Sequence, residues 1–268
     1  KLRLFENGQL KRAAIVLFGK DPGKFYANIT VKIGRFGKID DDLKFEESEE
    51  GNLIHCLQEV PAQLNRKFFT KPVDFEGLQR VEKGEYPVAA LREMLLNALV
   101  HRDYMGSNIQ IRMYDRFCIW NEGFLPDGLS LDALKRQHPS RPRNPIIADV
   151  CFKGGYIDAW GRGILKMINA CKQAGLPEPE IKEQDGGLLV TLFKDRYTEE
   201  QLSELGINER QVKAVNFVRE HGQITNKKYV AVAAVSPRQA LIDLKELVEK
   251  KVLVLVGKGR STRYSLRK

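Results

Sequence analysis

The sequence predicts a mixed α/β chain in two parts: a larger body of helices and strands, and a smaller C-terminal domain of three helices and a hairpin. Residues 87–104 carry apolar side chains at helical spacing, which predicts one amphipathic helix in the middle of the body. Residues 27–36 and 108–114 alternate apolar and polar side chains with the period of two that is typical of half-buried strands. The third observation is the charge, which separates the C-terminal residues from the rest.

The whole net charge of the chain lies in its last residues. Residues 207–268 contain 14 Lys and Arg against 5 Asp and Glu, whereas residues 1–206 contain 30 of each class. The net charge of +9 therefore belongs to the C-terminal part. A neutral body that carries a strongly basic domain indicates a polyanionic partner for that domain. The alternative is a basic surface that serves only solubility.

Composition places the chain among ordinary globular proteins, with 43% hydrophobic and 29% charged residues. No apolar run approaches the length of a membrane span, and the first residues do not have the pattern of a secretory signal. The four cysteines lie far apart, which favours reduced thiols over disulfides or a zinc site: Cys56, Cys118, Cys151 and Cys171. We therefore expect a cytoplasmic protein with no membrane contact.

The central helix carries an ordered set of polar side chains. Pro87 occupies a position that the first turn of a helix tolerates. Glu93, Asn97 and His101 follow at i, i+4 and i+8, so they form one stripe on a single face. A carboxylate and an amide one turn apart can orient a water molecule and help to hold a hard cation. The alternative is a solvated stripe on a helix that packs through its other face.

Residues 1–85 are predicted to form an α/β segment. The expected elements are a buried strand over 13–18, a strand over 27–36, an acidic loop over 40–51, a helix over 52–66 and a polar connection over 75–86. The glycine-containing segment 19–25 is not a phosphate loop, because its spacing is one residue short and Phe25 follows Lys24 where a Ser or Thr is required.

The part after the central helix alternates strands, turns and helices. The expected elements are a hairpin of strands over 108–114 and 117–120, a short helix over 130–137, a helix that begins at Pro145, a helix over 164–174 and a strand over 188–193. Asn144 is expected to cap the helix that begins at Pro145. Two glycine-containing turns are expected: residues 121–123 follow the second strand of the hairpin, and residues 161–163 precede the helix over 164–174.

These features occur in the order of a known fold. The Glu93 and Asn97 pair, the turn Asn121-Glu122-Gly123 and the turn Gly161-Arg162-Gly163 resemble the boxes of the GHKL (Bergerat-type) ATP-binding fold, an α+β sandwich. The strings ALREMLLNALVHRDY, NEGFLP, RNP and WGRGI resemble a divergent bacterial branch whose members are labelled RecG-like ATP-dependent DNA helicases or transcriptional regulators. In that branch an Alba-like (Schlafen-type) segment precedes the GHKL-like domain and a winged helix follows it.

The resemblance implies three domains: a partial Alba-like segment over residues 1–80, cut at its N-terminal side, a GHKL-like domain over 81–196, and a winged helix over 206–268. It implies ATP and Mg²⁺ as cofactors. Glu93 would be the base that aligns the attacking water, and Asn97 would ligate the magnesium ion. The implied nucleotide-binding residues are Asn97, His101, Asn121, Gly123, Gly161, Arg162 and Gly163.

The sequence departs from the catalytic GHKL families in two places. Their adenine-reading box begins with Asp, whereas this chain has Asn121, whose amide oxygen can still accept a hydrogen bond from the adenine amino group. The long glycine-rich lid is shortened to Gly154-Gly155 and the 161–163 turn. A fold retained without nucleotide chemistry is therefore the alternative.

The C-terminal residues resemble a winged helix-turn-helix. Helices are expected over 209–220 and 226–233, and a third begins with Ser236 as N-cap and Pro237 at its first position. Strands are expected over 251–256 and 262–266. On the third helix the apolar side chains expected to face inward are Leu241, Leu244, Leu247 and Val248. The expected contacts to double-stranded DNA are Arg238 and Gln239 with base edges, and Lys258, Arg260 and Arg263 with phosphates.

Two classes of function follow. The first is a DNA-binding transcriptional regulator whose GHKL-like domain binds and hydrolyses Mg-ATP. The second is a regulator in which that domain is a non-catalytic scaffold for a homodimer or another partner, just as winged helices also serve as protein-docking modules. A helicase motor is not expected, because the sequence has no phosphate loop and no second acidic motif.

Overall fold

The chain divides into two compact units, Lys1–Lys194 and Asp195–Lys268. The computed structural model describes residues 2–37, 39–69, 73–76, 79–82, 84–157, 160–194, 197, 202–203, 205–257, 259 and 262–267. The strands of the N-terminal unit are β1 (Phe5–Glu6), β2 (Gln9–Leu10), β3 (Val31–Phe36), β4 (Leu43–Glu49), β5 (Val73–Glu76), β6 (Gln79–Glu82), β7 (Ile109–Met113), β8 (Arg116–Glu122), β9 (Glu180–Gln184) and β10 (Gly187–Phe193). Its helices are α1 (Arg12–Phe18), α2 (Leu53–Gln63), α3 (Val88–His101), α4 (Leu131–Leu134), α5 (Pro145–Lys153) and α6 (Gly163–Gln173).

Six strands of this unit form one mixed sheet in the order β4-β3-β7-β8-β10-β9. Strand β3 runs parallel to β7, with Val31 opposite Ile109, and the other neighbours are antiparallel. Strands from the first 80 residues therefore share a sheet with the strands that follow the central helix. This architecture confirms the predicted mixed α/β fold.

Helix α3 is the predicted amphipathic helix, and it packs against α2, α6 and β8. Its apolar face is buried through Ala90, Met94, Leu95, Ala98 and Leu99, which belong to the main core together with side chains of the sheet. Since burial of apolar side chains is the dominant favourable contribution to folding, this packing fixes the direction of the opposite, polar face.

A buried arginine fixes the chain where α3 ends. Arg102 is fully buried, and its guanidinium donates hydrogen bonds to the carbonyl oxygens of Asn28 at 2.6 Å, Ser107 at 2.7 Å and Ile29 at 3.3 Å. The same group lies 5.1 Å from the centre of the Tyr104 ring, in a cation–π contact. Burial lowers the pKa of Arg102 from its ordinary value. The guanidinium thus joins the end of α3 to residues 28–29 and to residue 107.

Three predictions for the N-terminal residues are wrong, and one of them is the polar connection over 75–86, which contains the end of β5 and all of β6. Residues 13–18 belong to helix α1 instead of a strand, because a short apolar run is compatible with either structure and here buries only one side, through Ala14, Val16 and Leu17. The acidic segment expected to be a loop contains strand β4, which lies at the edge of the sheet, where its glutamates can face solvent. The predicted helix over 52–66 is confirmed as α2, with Asn52 as its N-cap.

The C-terminal unit contains helices α7 (Glu209–His221), α8 (Asn226–Ala233) and α9 (Pro237–Glu249), followed by strands β11 (Leu253–Val256) and β12 (Arg263–Leu266). Each helix has a side-chain N-cap, from Asn208, Thr225 and Ser236. The two strands pair antiparallel, and Tyr264 of β12 also forms an isolated bridge with Ile224, between α7 and α8.

A buried carboxylate, that of Asp243, is hydrogen-bonded to polar side chains of this unit. Asp243 of α9 accepts hydrogen bonds from the Tyr229 hydroxyl at 2.9 Å and from the Gln239 amide at 2.7 Å, and Arg210 lies 3.4 Å from it. Removing any of these donors would leave a buried polar group less well satisfied, so the network holds α9 against α7 and α8 in one rotation.

Two observations concern membrane-spanning helices and the state of the cysteines. In the described part of the chain, no helix is both long enough and apolar enough to span a membrane. All four cysteines are free and buried. Burial raises the pKa of the Cys56 thiol to about 12 and the pKa of Cys151 and Cys171 to about 11, so these thiols are protonated at neutral pH.

Candidate functional site

One cleft in the N-terminal unit collects the predicted site residues of that unit. It lies between the polar face of α3, the end of β8, the loop after β8, the segment before α5 and the start of α6. The predicted residues that line it are Glu93, Asn97, His101, Asn121, Gly123, Gly161, Arg162 and Gly163. Segments that are distant in sequence therefore meet at one place.

The polar stripe of α3 faces the glycine turn that precedes α6. A β-carbon built on Gly163 would lie 2.7 Å from Oε2 of Glu93 and 3.6 Å from Nδ2 of Asn97. The Glu93 side chain is buried, and its Oε1 lies 3.7 Å from the Arg92 guanidinium. A residue larger than glycine at position 163 would thus displace the carboxylate.

The side chain of Asn97 is the notable polar group in this wall of the cleft. Its amide nitrogen is buried and has no hydrogen-bond partner among the described residues. An unsatisfied buried amide costs about 1–3 kcal/mol, and such groups are usually explained by a bound ligand, water or ion. Asn97 therefore points to something that the cleft binds.

Both the backbone conformation at residue 161 and the atoms around it require glycine at that position. Its φ is +63°, a region that residues with a β-carbon adopt at a cost. A β-carbon there would lie 2.2 Å from the carbonyl oxygen of His138 and 3.0 Å from its Nδ1. The turn before α6 thus packs directly on the backbone of residue 138.

The far end of the cleft is formed by the last residues of β8 and by Gly123, so the first two positions of the predicted 121–123 turn are strand. Asn121 is buried, and its amide donates a hydrogen bond of 3.3 Å to the carbonyl of Glu122. Gly123 has a φ of +134°, and its N–H donates to the carbonyl of Gly186 at 3.1 Å. A β-carbon on Gly123 would approach Arg143 to 3.0 Å, so glycine keeps this end open.

The electrostatics of the cleft favour an anion. Arg141, Arg143, Arg162 and Lys166 line it, while Glu93 is the single carboxylate among the described lining residues. Helix α6 adds the positive end of its dipole, since it begins at Gly163 beside Glu93. The combination is suited to a ligand with several negative charges.

Sequence reasoning missed the contribution of the segment before α5. Arg141 and Arg143 belong to the RPRNP stretch, which the sequence marks only as a break. Asn144 is the N-cap residue of α5, as predicted, but its side chain makes no capping hydrogen bond: its amide donates to the carbonyls of Val100 at 2.8 Å and Arg102 at 2.9 Å. Asn144 thereby satisfies the C-terminal end of α3 and brings the two arginines to the cleft.

His101 is expected to make the stability of the N-terminal unit depend on pH. Burial, the largest cause, and the nearby Arg143 and His138 together lower the pKa of its imidazole from 6.5 to about 4. Between these values the unfolded chain binds a proton that the folded chain does not, so stability is present above pH 6.5 and is lost as the pH falls towards 4.

The expected loss between pH 7.5 and pH 4.5 is about 2–3 kcal/mol of unfolding free energy from this residue. Urea unfolding followed by tryptophan fluorescence measures it, because Trp120 and Trp160 both lie in the N-terminal unit. His101→Gln should flatten this part of the pH dependence. An unchanged profile in the variant would contradict the prediction.

The donor set fits a nucleotide-bound magnesium ion better than a metal held by protein alone. Among the described residues, no group of three or more His, Cys, Asp or Glu side chains could hold a metal ion. Magnesium is usually bound through one or two carboxylates or amides together with substrate phosphates. The pair Glu93 and Asn97, beside the N-terminus of α6 in a cleft that four cations line, has that character.

The predicted DNA contacts lie in the C-terminal unit. Arg238 is exposed at the start of α9, and Arg263 is exposed on β12. Gln239 is half-buried, with its amide donating to Asp243. Lys258 and Arg260 lie outside the described residues.

A solved structure shares the fold. The chain is similar to the crystal structure of the DIP2311 protein from Corynebacterium diphtheriae, with a TM-score of 0.59 and 19% sequence identity. The similarity covers 99% of this chain and 56% of that one, so the chain spans little more than half the length of that protein. A comparison with curated proteins gave no match.

A family model matches part of the N-terminal unit. Residues 106–192 match the family described as "Putative ATP-dependent DNA helicase recG C-terminal". The matched segment contains β7 to β10, the 121–123 turn and the 161–163 turn, whereas Glu93 and Asn97 precede it on α3. Residues 106–192 are therefore similar to a RecG-C-terminal-like, ATPase-type domain.

Proposed function

We propose that the cleft binds Mg-ATP and that the chain is a nucleotide-dependent regulator that binds DNA. The observation that carries the first half is the buried, unpartnered amide of Asn97 beside Glu93 and Gly163. A carboxylate, an amide and a glycine turn within a few ångströms of each other, under several arginines, are what a magnesium-bound triphosphate requires.

The proposal gives a role to four residues at the α3 and α6 side of the cleft. Asn97 would contact the metal through its amide oxygen while its unpartnered amide nitrogen would donate to a phosphate oxygen, and Glu93 would accept the proton of the attacking water. Backbone N–H groups of the turn at Gly161 and Gly163 would approach the phosphates, because no β-carbon keeps them away. The magnesium ion, when bound, neutralises phosphate charge.

The adenine base would lie at the other end of the cleft. Asn121 is buried there and can accept from the adenine amino group through its amide oxygen. Phe124, which lines the same cleft and is 67% exposed, offers an aromatic face beside it. Ile119, Leu188 and Val190 add the apolar lining that a purine pocket needs.

Asn97 and Glu93 are expected to differ in their effects. Asn97→Ala should weaken binding of a fluorescent ATP analogue in the presence of Mg²⁺ at least tenfold, because the amide acts on the bound ground state. Glu93→Gln should retain binding and lose phosphate release, because the carboxylate acts only in the hydrolytic transition state. Titrations with and without Mg²⁺, together with a phosphate-release assay, measure both.

Asn65→Ala is the matched control, since Asn65 is an exposed asparagine whose amide donates to the Pro61 carbonyl at 2.9 Å, away from the residues that line the cleft. It should bind the analogue as the parent does. Equal binding by the parent and by Asn97→Ala would contradict the proposed site. A parent chain that binds no nucleotide but forms a dimer would favour the scaffold function instead.

We further propose that the C-terminal unit is a winged helix that binds double-stranded DNA. Three N-capped helices precede a two-stranded sheet, and the bridge from Tyr264 to Ile224 joins that sheet to the segment between the first two helices. The net charge of +9 over residues 207–268 supports a polyanionic partner. Exposed Arg238 and Arg263 lie on the elements that winged helices present to DNA.

The salt dependence of binding tests this second half. Arg263→Ala in the full chain should reduce the slope of log K against log salt by about 0.9, because each phosphate contact releases about one counterion. Arg136→Ala, at an exposed arginine of the N-terminal unit, should leave the slope unchanged. Fluorescence anisotropy with a labelled duplex at several salt concentrations gives the slopes. Absence of binding to any duplex at low salt would refute the DNA-binding proposal.

A further inference from the structure

The outward face of α9 is partly apolar, and the sequence does not predict this. Leu241 was expected to face inward, but it is 42% exposed, and Ile242 beside it is 49% exposed. Arg238 and Lys245 are exposed as well. These four residues lie at i, i+3, i+4 and i+7, so they form one stripe, which we call the α9 stripe: two apolar side chains between two cations.

The direction of the α9 stripe is fixed by the opposite face of the helix. Ala240, Leu244 and Leu247 are fully buried in the core of the C-terminal unit. The buried Asp243 carboxylate ties α9 to Tyr229 and Arg210. Rotating α9 to bury Leu241 would expose this core and break the network, so the exposed leucine and isoleucine are a stable feature of the surface.

The Asp243 network also changes which side chains of α9 are available to a partner. The Gln239 amide group already donates to Asp243 at 2.7 Å. Reading an adenine by a bidentate amide contact needs that donor as well as the amide oxygen. The outward residues that remain near the start of the helix are Arg238, Leu241 and Ile242.

We propose that Leu241 and Ile242 contact the 5-methyl groups of pyrimidines in the DNA major groove, so that the protein selects duplexes with thymine beneath the α9 stripe. The proposal rests on the proposed DNA binding of the C-terminal unit. In the major groove the thymine methyl is the apolar group among the base edges, and an apolar side chain there discriminates by contact with it.

The flanking charges favour DNA over a protein as the occupant. Arg238 and Lys245 border the apolar pair on both sides, in a part of the chain with a net charge of +9. A phosphate backbone lies on both sides of a major groove, so cations at the edges and apolar groups at the centre match its chemistry. A second copy of this basic surface would instead place like charges opposite each other.

Paired duplexes that differ only in the methyl group test the proposal. The full chain is titrated with two alternating DNA duplexes of about 20 base pairs, two helical turns. One pairs adenine with thymine, and the other pairs adenine with uracil, which lacks the methyl group. A second pair of alternating GC duplexes either contains 5-methylcytosine or lacks it. We expect each methylated duplex to bind about fourfold more tightly per contacted methyl, since burial of one CH₂ group contributes about 0.8 kcal/mol. The cytosine pair separates the methyl contact from differences between AT and AU duplex shape.

Variants connect the preference to the stripe. The double variant L241A/I242A should bind methylated and unmethylated duplexes alike. The matched control is L255A/V256A, which removes two apolar side chains of β11 that are 53% and 47% exposed. It should keep the preference of the parent.

The outcomes distinguish this inference from the proposal on which it rests. Binding to every duplex without a methyl preference overturns the thymine contact and leaves DNA binding in place. Binding to no duplex at low salt overturns both. If L241A/I242A keeps the preference but converts a dimer to a monomer in sedimentation, the stripe is a protein contact and the inference is wrong.

Discussion

Replacing Arg102 by methionine is expected to lower the unfolding free energy of the N-terminal unit by about 3–5 kcal/mol, because three buried carbonyl groups each lose a charged hydrogen-bond donor. The guanidinium is fully buried and donates to three carbonyl groups, from residues 28, 29 and 107. Methionine fills a similar volume but donates nothing, so these carbonyls would lose a partner in a site that water does not reach. Lysine at this position should restore little, because one ammonium cannot present the planar set of donors.

Thermal unfolding followed by tryptophan fluorescence measures the change. A loss of this size corresponds to a fall in Tm of about 6–20 °C for a unit of this length. Arg136→Met is the control, because Arg136 is exposed and its replacement should change stability by about 0.5 kcal/mol or less. If Arg102→Met and Arg136→Met unfold at the same temperature, the buried guanidinium does not stabilise the unit.

Replacing Gly161 by alanine should be the most damaging single change in the cleft. A residue with a β-carbon pays about 1–2 kcal/mol for the left-handed backbone, and the contact of 2.2 Å with the His138 carbonyl adds about 1–3 kcal/mol of overpacking. The backbone of residue 138 must move, since a carbonyl oxygen cannot rotate away as the end of a side chain can. The turn before α6 would therefore lose its geometry, and nucleotide binding with it.

Gly155 provides a matched control for this prediction. Its φ of +73° is close to that of Gly161, but a β-carbon there would meet nothing within 4 Å. Gly155→Ala should therefore show the backbone cost alone, about 1–2 kcal/mol, and leave the cleft intact. Urea unfolding and titration with the ATP analogue compare the two variants. Equal stability losses and equal affinities would show that the contact with His138 is unimportant.

The sequence predicts the centre of the N-terminal unit well because the signals there are long and periodic. Helix α3 carries a buried apolar stripe over fourteen residues, and its polar stripe determines where Glu93 and Asn97 must face. Glycines in the sequence indicate the changes of chain direction at Gly123 and Gly161. The meeting of these elements in one cleft depends on tertiary packing. Only the resemblance to the GHKL fold predicts it.

The errors have definite physical causes. Residues 13–18 are too few to show whether their period is that of a helix or a strand. Strand β4 is rich in glutamate because an edge strand faces solvent, so its sequence has the composition of a loop. Arg102 could not be identified as buried, since arginine is almost always exposed, and its acceptors come from two segments, residues 28–29 and residue 107. The exposure of Leu241 is hidden because its spacing fits either face of α9.

The parallel pairing of β3 with β7 has a consequence for synthesis of the chain. The partners Val31 and Ile109 are nearly eighty residues apart, so β3 leaves the ribosome well before β7 exists. At about 5–20 residues per second, the interval is about 4–16 s. During that time β4 covers one side of β3, and the backbone groups on the other side are open to pairing with another nascent chain. Slower initiation, which spaces the ribosomes on the message, should therefore raise the yield of correctly folded protein.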